Sequence, residues 1–343
     1  MRYTTSNPDG ECYFSSEIPD ILLSNGNDYL TFVVRREEDV LINDEYTGED
    51  VRIRFLSSSL SPHLHPGRNV FGFSLRNNSH IDIQGSFEVI RCDIAVDTPD
   101  KAREFESSCF LSTFSGVKRT NPHRKEFLSL CGSSQAQRLA VRFAGLYADK
   151  TGDETVIRKE TFIEVPARIA TTLDVSPALY DTEKEKTLCE YTVSIGGRSQ
   201  TFIVMPAPPF DKEFVFVNPF GVPESVGFTG GETFEEKRER QYGTVGGDYR
   251  VLSGRSDTEY TCHSGILRKH EADWIRSMLS SKEIVDTDTG RAITILEEKL
   301  ERSSRSDELP ALELKYRYSG LSPMLKLKET KRIFTLHYTG EYE

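Results

Sequence analysis

Long apolar runs are missing from this chain of 343 residues. No stretch approaches the roughly 20 apolar residues that a membrane-spanning helix needs. Residues 1–7 also lack the apolar core of a secretory signal. We therefore expect no membrane insertion, and we expect the chain to be made in the cytoplasm.

Basic residues are scarce relative to acidic ones, since 43 Lys and Arg stand against 54 Asp and Glu, a formal net charge of -11. General affinity for nucleic acid comes from Lys and Arg that displace counterions from phosphates. The composition therefore argues against a nucleic-acid binder, and we expect no sequence-specific nucleic-acid partner. A negative surface would suit a conduit that lets DNA slide past, although acidity also serves solubility.

Closely spaced cysteines are also missing, because the six cysteines are scattered along the chain. Zinc ligands and redox pairs usually come at spacings of about two to four residues. We expect reduced, mostly buried thiols rather than a metal or redox site.

Motifs for catalysis are incomplete. His270-Glu271 begins like the helical zinc-protease motif, but Trp274 stands where the second His is needed. The segment 286–290 begins like a calcium loop without its later ligands, and the glycines of 243–248 form a loose turn rather than a phosphate cradle. We therefore predict no enzyme and no cofactor, with a hydrolase that uses an acidic pair as the least supported alternative.

One metal-site alternative stays open at His63 and His65, whose rings would share a face if the segment were a strand. His80 is a candidate third ligand. Pro62 and Pro66 favour a surface loop instead, so we expect no metal here.

Apolar residues alternate with period two in much of the chain, as at Val51 and Ile53 and again at Phe87 and Val89. This period places successive side chains on opposite faces of a strand. Gly196-Gly197 lies between two β-prone runs and predicts a tight hairpin. The fold class is therefore mainly β, with two or three β-sandwich-like domains in series.

Two breaks divide the chain. Thr98 can cap a helix and Pro99 suits its first turn, which predicts a short helix to about Ser107. The proline cluster at 205–209 lacks the backbone donors that a strand needs. We predict β-sandwich-like domains over residues 1–97 and 98–207, the second entered by the short helix, and a β domain over 208–343.

The last domain contains one predicted helix, at 265–281. Its apolar residues fall on one arc at 100° per residue, with Glu271 as an interruption. They are Leu267, Trp274, Ile275, Met278 and Leu279. We therefore expect one α-helix to flank the last sheet.

The run Phe216-Val217-Asn218-Pro219-Phe220-Gly221-Val222-Pro223-Glu224-Ser225, followed by Phe228-Thr229-Gly230, resembles structural proteins of phages and prophages of Bacteroidetes-type bacteria. The resemblance covers about the last 130 residues and includes the Trp274-Ile275 pair. It implies a virion protein that is similar to tail, neck or baseplate ring components, such as distal-tail or tail-hub proteins. Copies of itself and other virion proteins would be its partners, and it implies no catalytic residues.

Seven residues of this region are candidates for an interface or a core loop: Phe216, Asn218, Pro219, Phe220, Pro223, Phe228 and Trp274. The two X-Pro pairs favour extended or turn backbone, so an aromatic loop would leave a strand at a fixed angle. The aromatic side chains either fill their own core or contact a neighbour.

We therefore expect a subunit of an oligomeric ring in a virion, made in the cytoplasm of a host bacterium. A carbohydrate-binding or host-surface-binding β-sandwich module is the alternative, because such folds present loops to ligands.

Overall fold

The computed structural model describes residues 2–3, 7–25, 29–54, 56–77, 80–181, 185–301 and 309–320. This part of the chain forms 22 strands and three α-helices, so the predicted mainly β class is confirmed. Each multi-stranded sheet takes all its strands from one of three segments, which span residues 2–90, 118–204 and 212–318.

The first segment is a two-sheet sandwich. Its strands are β1 (Arg2–Tyr3), β2 (Cys12–Phe14), β3 (Ile21–Ser24), β4 (Tyr29–Arg36), β5 (Asp39–Thr47), β6 (Asp50–Ile53), β7 (Arg68–Asn77) and β8 (His80–Ile90). The sheet β1-β3-β6 shares a core with the sheet β2-β8-β7-β4-β5. Every second residue of β7 is buried there, including Phe71, Phe73 and Leu75. Helix α1 (Leu56–Leu60) adds Leu56 and Leu60 to the same core.

The second segment has the same plan. Its strands are β9 (Lys118–Thr120), β10 (Phe127–Cys131), β11 (Gln137–Asp149), β12 (Glu154–Val165), β13 (Ala170–Asp174), β14 (Lys186–Ile195) and β15 (Arg198–Val204). The sheet β12-β11-β14-β15-β9 shares a core with the pair β10-β13. The predicted hairpin is confirmed, because Ile195 pairs with Arg198 and Gly196 takes the positive φ of +60° that the turn requires.

Helix α2 (Ala102–Ser108) lies between these two segments and follows a 3-10 turn at Pro99–Lys101. The predicted short helix is thus present. The Thr98 side chain makes no cap hydrogen bond, so Pro99 supplies the start of the helix without a side-chain cap.

The third segment is one curled sheet with a helix on its concave side. Its strands are β16 (Lys212–Val217), β17 (Pro223–Phe228), β18 (Glu232–Val245), β19 (Asp248–Ile266), β20 (Ile284–Asp286), β21 (Arg291–Glu301) and β22 (Ala311–Tyr318), in the order β17-β16-β20-β21-β22-β19-β18. Backbone bonds from Gly230 N to His263 O (2.9 Å) and from His263 N to Gly231 O (3.0 Å) draw β17 towards β19. Helix α3 (Lys269–Leu279) packs against this sheet with Trp274 and Met278, which belong to the core of the segment.

The predicted helix bounds of 265–281 are wrong at both ends. Residues up to Ile266 belong to β19, and Gly265 has a φ of +75° that no α-helix contains. The helix begins at Lys269, where the Glu271 carboxylate accepts a hydrogen bond from the Arg268 backbone N–H at 2.7 Å. Glu271, which interrupts the apolar arc, is therefore the third residue of the helix and bonds back to the backbone of the N-cap residue Arg268.

Candidate interaction surfaces

Three of the seven predicted residues lie in the core of the third segment. Phe216, Phe228 and Trp274 are each 5% exposed or less. The ring centroids of Phe216 and Trp274 are 6.0 Å apart, and the burial of each such side chain contributes about 1.5–3 kcal/mol. These aromatic side chains are enclosed by their own chain.

The other four lie in and beside the turn from β16 to β17: Asn218, Pro219, Phe220 and Pro223. The Asn218 side chain organises this turn. Its Oδ1 accepts a hydrogen bond from Phe220 N at 2.9 Å, and its Nδ2 donates to Leu111 O at 2.7 Å. The Asp93 N–H donates to Pro219 O at 3.0 Å. The turn therefore contacts the connection between the first two segments rather than solvent.

We call the apolar group around this turn the junction cluster: Cys12, Phe14, Ile90, Cys92, Ala102, Leu111, Cys131, Phe220 and Val222. Its members come from all three segments. Phe220 stacks on Phe105 of α2 at a centroid distance of 5.3 Å, and Phe105 meets the Phe14 ring edge-on at 5.5 Å. The turn from β16 to β17 thus joins the segments through a shared core.

Polar contacts surround the junction cluster. The Arg68 guanidinium of β7 contacts Glu88 at 3.1 Å and also binds Glu106 of α2. Arg198 of β15 donates to the backbone carbonyl of Cys109 at 2.9 Å and to that of Glu106. The helix α2 is therefore bound from both sides.

Buried charges link the second segment to the third. The Trp274 indole N–H donates to the Glu224 carboxylate at 3.0 Å, and the Lys118 ammonium lies 4.8 Å from the Trp274 ring centroid. Lys118 also contacts Glu126 at 2.6 Å. Burial raises the pKa of Glu224 above its usual range, because the carboxylate has lost its hydration.

A second link surrounds Glu213 of β16. Its carboxylate accepts hydrogen bonds from Lys125 N at 2.7 Å and from the Thr287 hydroxyl at 3.1 Å. Burial is the main reason that the pKa of Glu213 rises to about 7, and the negative charge of Glu126 raises it further. Glu213 is thus a buried group that titrates near neutral pH.

A long hairpin extends from the sheet of the third segment. Among the described residues, β19 pairs with β22 only between Tyr260 and Ile266, whereas β18 and β19 pair with each other as far as Val245 and Asp248. We call residues 237–257 the arm. Its nine residue pairs give a reach of about 30 Å at 3.3 Å per residue.

The arm ends at Gly246-Gly247, whose φ angles of +63° and +90° form a two-residue turn. The interpretation of 243–248 as a loose turn is therefore wrong, because Val245 and Asp248 are directly paired. The paired glycines are the same signal that identifies the hairpin at Gly196-Gly197. The Gly-Gly pair is therefore a sequence signal from which the arm could have been predicted.

Large apolar side chains of the arm are open to solvent. Tyr249 is 75% exposed and Leu252 is 58% exposed. Tyr242 and Tyr249 stack across the two strands with centroids 5.4 Å apart, and Tyr242 is 49% exposed. Because these side chains are exposed, the apolar surface of the arm is available to another molecule.

The other predicted sites take structural roles. Asp286, from the segment that begins like a calcium loop, is fully buried and contacts Lys212 at 2.7 Å. Burial raises the pKa of Cys131 to about 12, which keeps this thiol protonated. Within the described ranges, no group of three or more His, Cys, Asp or Glu side chains is arranged to hold a metal ion. No helix in these ranges has the length and apolarity needed to cross a bilayer.

Comparisons with known proteins give only distant similarities. No family model matches the chain, and no curated protein matches it. The solved structure of calcium binding domain CBD12 of CALX1.1 is 10% identical, covers 55% of this chain and 76% of its own, and has a TM-score of 0.17. A structure of a 1.5-MDa bacterial ice-binding adhesin is 10% identical, with coverages of 75% and 90% and a TM-score of 0.15. Similarities at these scores carry no argument about function.

Proposed function

We propose that this chain is a non-enzymatic structural subunit that assembles with copies of itself, and that the arm of one subunit docks on the body of the next. The arm is the observation that carries this proposal. It extends about 30 Å beyond the last pairing of β19 with β22, and its large apolar side chains are exposed.

The physical argument begins with the stability of a hairpin. A two-stranded hairpin is at best marginally stable in water by itself. The outer strand β18 is also the edge of its sheet and presents unpaired backbone donors and acceptors. Contact with a second subunit would cover both the edge and the exposed Tyr242, Tyr249 and Leu252 side chains.

Charge favours a second copy as the occupant. The arm carries five basic residues against three acidic ones, although the chain as a whole has a net charge of -11. A basic arm is therefore complementary to the acidic body of an identical neighbour. Contact between an arm and a different surface is heterologous, and it closes a ring when the rotation between subunits permits.

The resemblance of residues 216–230 to phage structural proteins supports a finer proposal, in which the assembly is a tail, neck or baseplate ring of a virion. Other virion proteins would then bind the faces of the ring. The junction cluster supports the same role, because a subunit whose three segments share one core can transmit load.

The test is the solution mass of the full-length protein by light scattering, with negative-stain imaging of the species that form. We expect discrete oligomers at micromolar concentration, and a shift towards monomer in 0.5 M salt because salt screens the contact between arm and body. Strictly monomeric protein at 100 µM would contradict the proposal.

Variants then test the arm itself. Tyr249→Ser combined with Leu252→Ser should give monomers that remain folded, since both side chains are exposed. The matched control is Phe162→Ser on β12, which removes a side chain of 53% exposure outside the arm. Assembly that persists in the arm variant would show that another surface makes the contact.

A further inference from the structure

A cleft of about 770 Å³ opens on the outer face of the first five-stranded sheet. Five arginines and one glutamate line it: Arg35, Arg36, Arg68, Arg76, Arg168 and Glu37. Guanidinium groups repel one another, so their collection in one cleft of an acidic chain needs a reason. We call this feature the arginine cleft.

Two of the five arginines have partners within the protein. Arg68 binds Glu88 and Glu106, and Arg36 donates to the backbone carbonyl of His63 at 2.6 Å. The carbonyl that Arg36 contacts carries no net charge to offset that of the guanidinium.

The other three arginines are Arg35, Arg76 and Arg168. Among the described residues, no carboxylate lies within 4 Å of their guanidinium groups. The Arg76 Nε is enclosed by protein and has no hydrogen-bond acceptor in the described part of the chain. Arg35 and Arg168 are exposed and Arg76 is partly exposed, so their terminal N–H groups can meet an anion that enters the cleft.

The cleft is built from two segments. Arg168 belongs to the turn between β12 and β13, and its backbone has a φ of +64° that a side chain other than glycine seldom adopts. Hydrogen bonds hold it there, from Arg168 N to Ser133 O and from Arg68 N to Arg168 O, each at 2.8 Å. This turn places the fifth guanidinium beside the first residue of β7, about 100 residues earlier in the chain.

The cleft is open, and apolar side chains such as Ile81 line it together with polar ones. A side chain at Gly72 would meet no atom within 4 Å, so the glycine leaves free space above the sheet. Ser74, Gln84 and Ser86 also line the cleft. Their hydroxyl and amide groups can each bond to a hydroxyl of a ligand.

We infer that the arginine cleft binds an oligosaccharide that carries carboxylate, sulfate or phosphate groups. Arginines recognise such anions through paired N–H donors, and the serine and glutamine side chains match sugar hydroxyls. A single-stranded nucleic acid is disfavoured, because such ligands stack on exposed aromatic rings and the Phe73 ring of this cleft is only 4% exposed. The inference does not rest on the assembly proposal, since the arm is no part of the cleft.

The test is calorimetric titration of the full-length protein with three probes: a heparin hexasaccharide, an oligogalacturonate of six sugars and the oligonucleotide dT10. We expect at least one of the two saccharides to bind in 50 mM salt, more weakly in 300 mM salt, and dT10 to bind at least tenfold more weakly. Failure of both saccharides to bind would overturn the inference, as would equal or tighter binding of dT10.

The basic arm could also bind an anionic saccharide, so variants are needed to show that binding occurs in the cleft. Arg35→Gln combined with Arg76→Gln should weaken saccharide binding about tenfold or more, the usual effect of lost hydrogen bonds to a charged group. Gly72→Leu should weaken it similarly by filling the cleft without any change of charge. The control Arg158→Gln removes one exposed charge from β12 and should leave affinity within about twofold.

Melting temperatures of the variants separate loss of the cleft from loss of the fold. If Gly72→Leu does not fold, the Arg35→Gln, Arg76→Gln variant still tests the cleft, because substitutions at a partly exposed surface should leave the fold intact. Saccharide binding that both cleft variants leave unchanged would assign it to another surface and overturn the inference. Assembly of the subunits, which tests the proposed function, is measured separately by light scattering without saccharide.

Discussion

Replacement of Phe220 by alanine should open the junction between the three segments. Phe220 is 3% exposed, belongs to the junction cluster and stacks on Phe105 at 5.3 Å. Removal of a buried phenylalanine side chain costs about 3–5 kcal/mol in transfer and cavity terms. Because the lost contacts join separate segments, most of that cost should appear as easier separation of the segments.

Thiol labelling measures this opening at known places. Cys92 and Cys131 belong to the junction cluster, whereas Cys262 lies in the core of the third segment. All three are 3% exposed or less, so a reagent reaches them only when the structure opens. A loss of 3 kcal/mol raises the population of an open state about 150-fold.

The expected result for Phe220→Ala is that Cys92 and Cys131 react about a hundredfold faster, with little change at Cys262, as followed by mass spectrometry of the labelled peptides. The matched control is Phe216→Ala, also buried but inside the third core, which should accelerate Cys262 instead. Equal acceleration of all three thiols in both variants would refute a separate junction. Unchanged labelling in Phe220→Ala would refute the stabilising role of the turn.

Two further predictions concern the buried acids. The pKa of Glu213 is raised to about 7 from the ordinary value of 4.5, so the folded state holds its proton more tightly and loses stability as the pH rises through this range. We measure the free energy of unfolding in urea for Glu213→Gln and for the wild type. The difference, mutant minus wild type, should be about 2–3 kcal/mol larger at pH 8 than at pH 5. The same difference at both pH values would contradict this. Trp274→Phe removes the hydrogen-bond donor to Glu224 and should cost about 1.5–3 kcal/mol. Because the indole N–H bonds more strongly to a charged carboxylate, that cost should grow as the pH rises through the raised pKa of Glu224, and it should shrink in a Glu224→Gln background.

Local features of the fold could be predicted from the sequence. Period-two alternation identifies strands because it records which face of each strand is buried, as the burial of Val51, Ile53, Phe87 and Val89 shows. Gly196-Gly197 marks a tight turn because its geometry needs a positive φ, and Gly246-Gly247 carries the same information for the tip of the arm. These signals depend on neighbours in the chain and on nothing distant.

Helix α3 shows what such local signals do not predict. The apolar arc correctly indicates a helix, but its start depends on Gly265, which is held against Gly230 of another strand connection. Glu271 looks like an error in an apolar face until Arg119 of the second segment binds it. A charge on a buried face is explained only by its partner, and that partner is 152 residues away in sequence.

The sequence by itself determined the strands, the tight turns and the mainly β class, because alternation and glycine conformation are properties of a few consecutive residues. Only the tertiary structure decided that the Phe220 turn lies in a core shared by three segments. It also decided that Arg35, Arg76 and Arg168 line one cleft. The reason is physical: a side chain's periodicity reveals whether it is buried, whereas its partners are set by contacts between strands that no local pattern specifies.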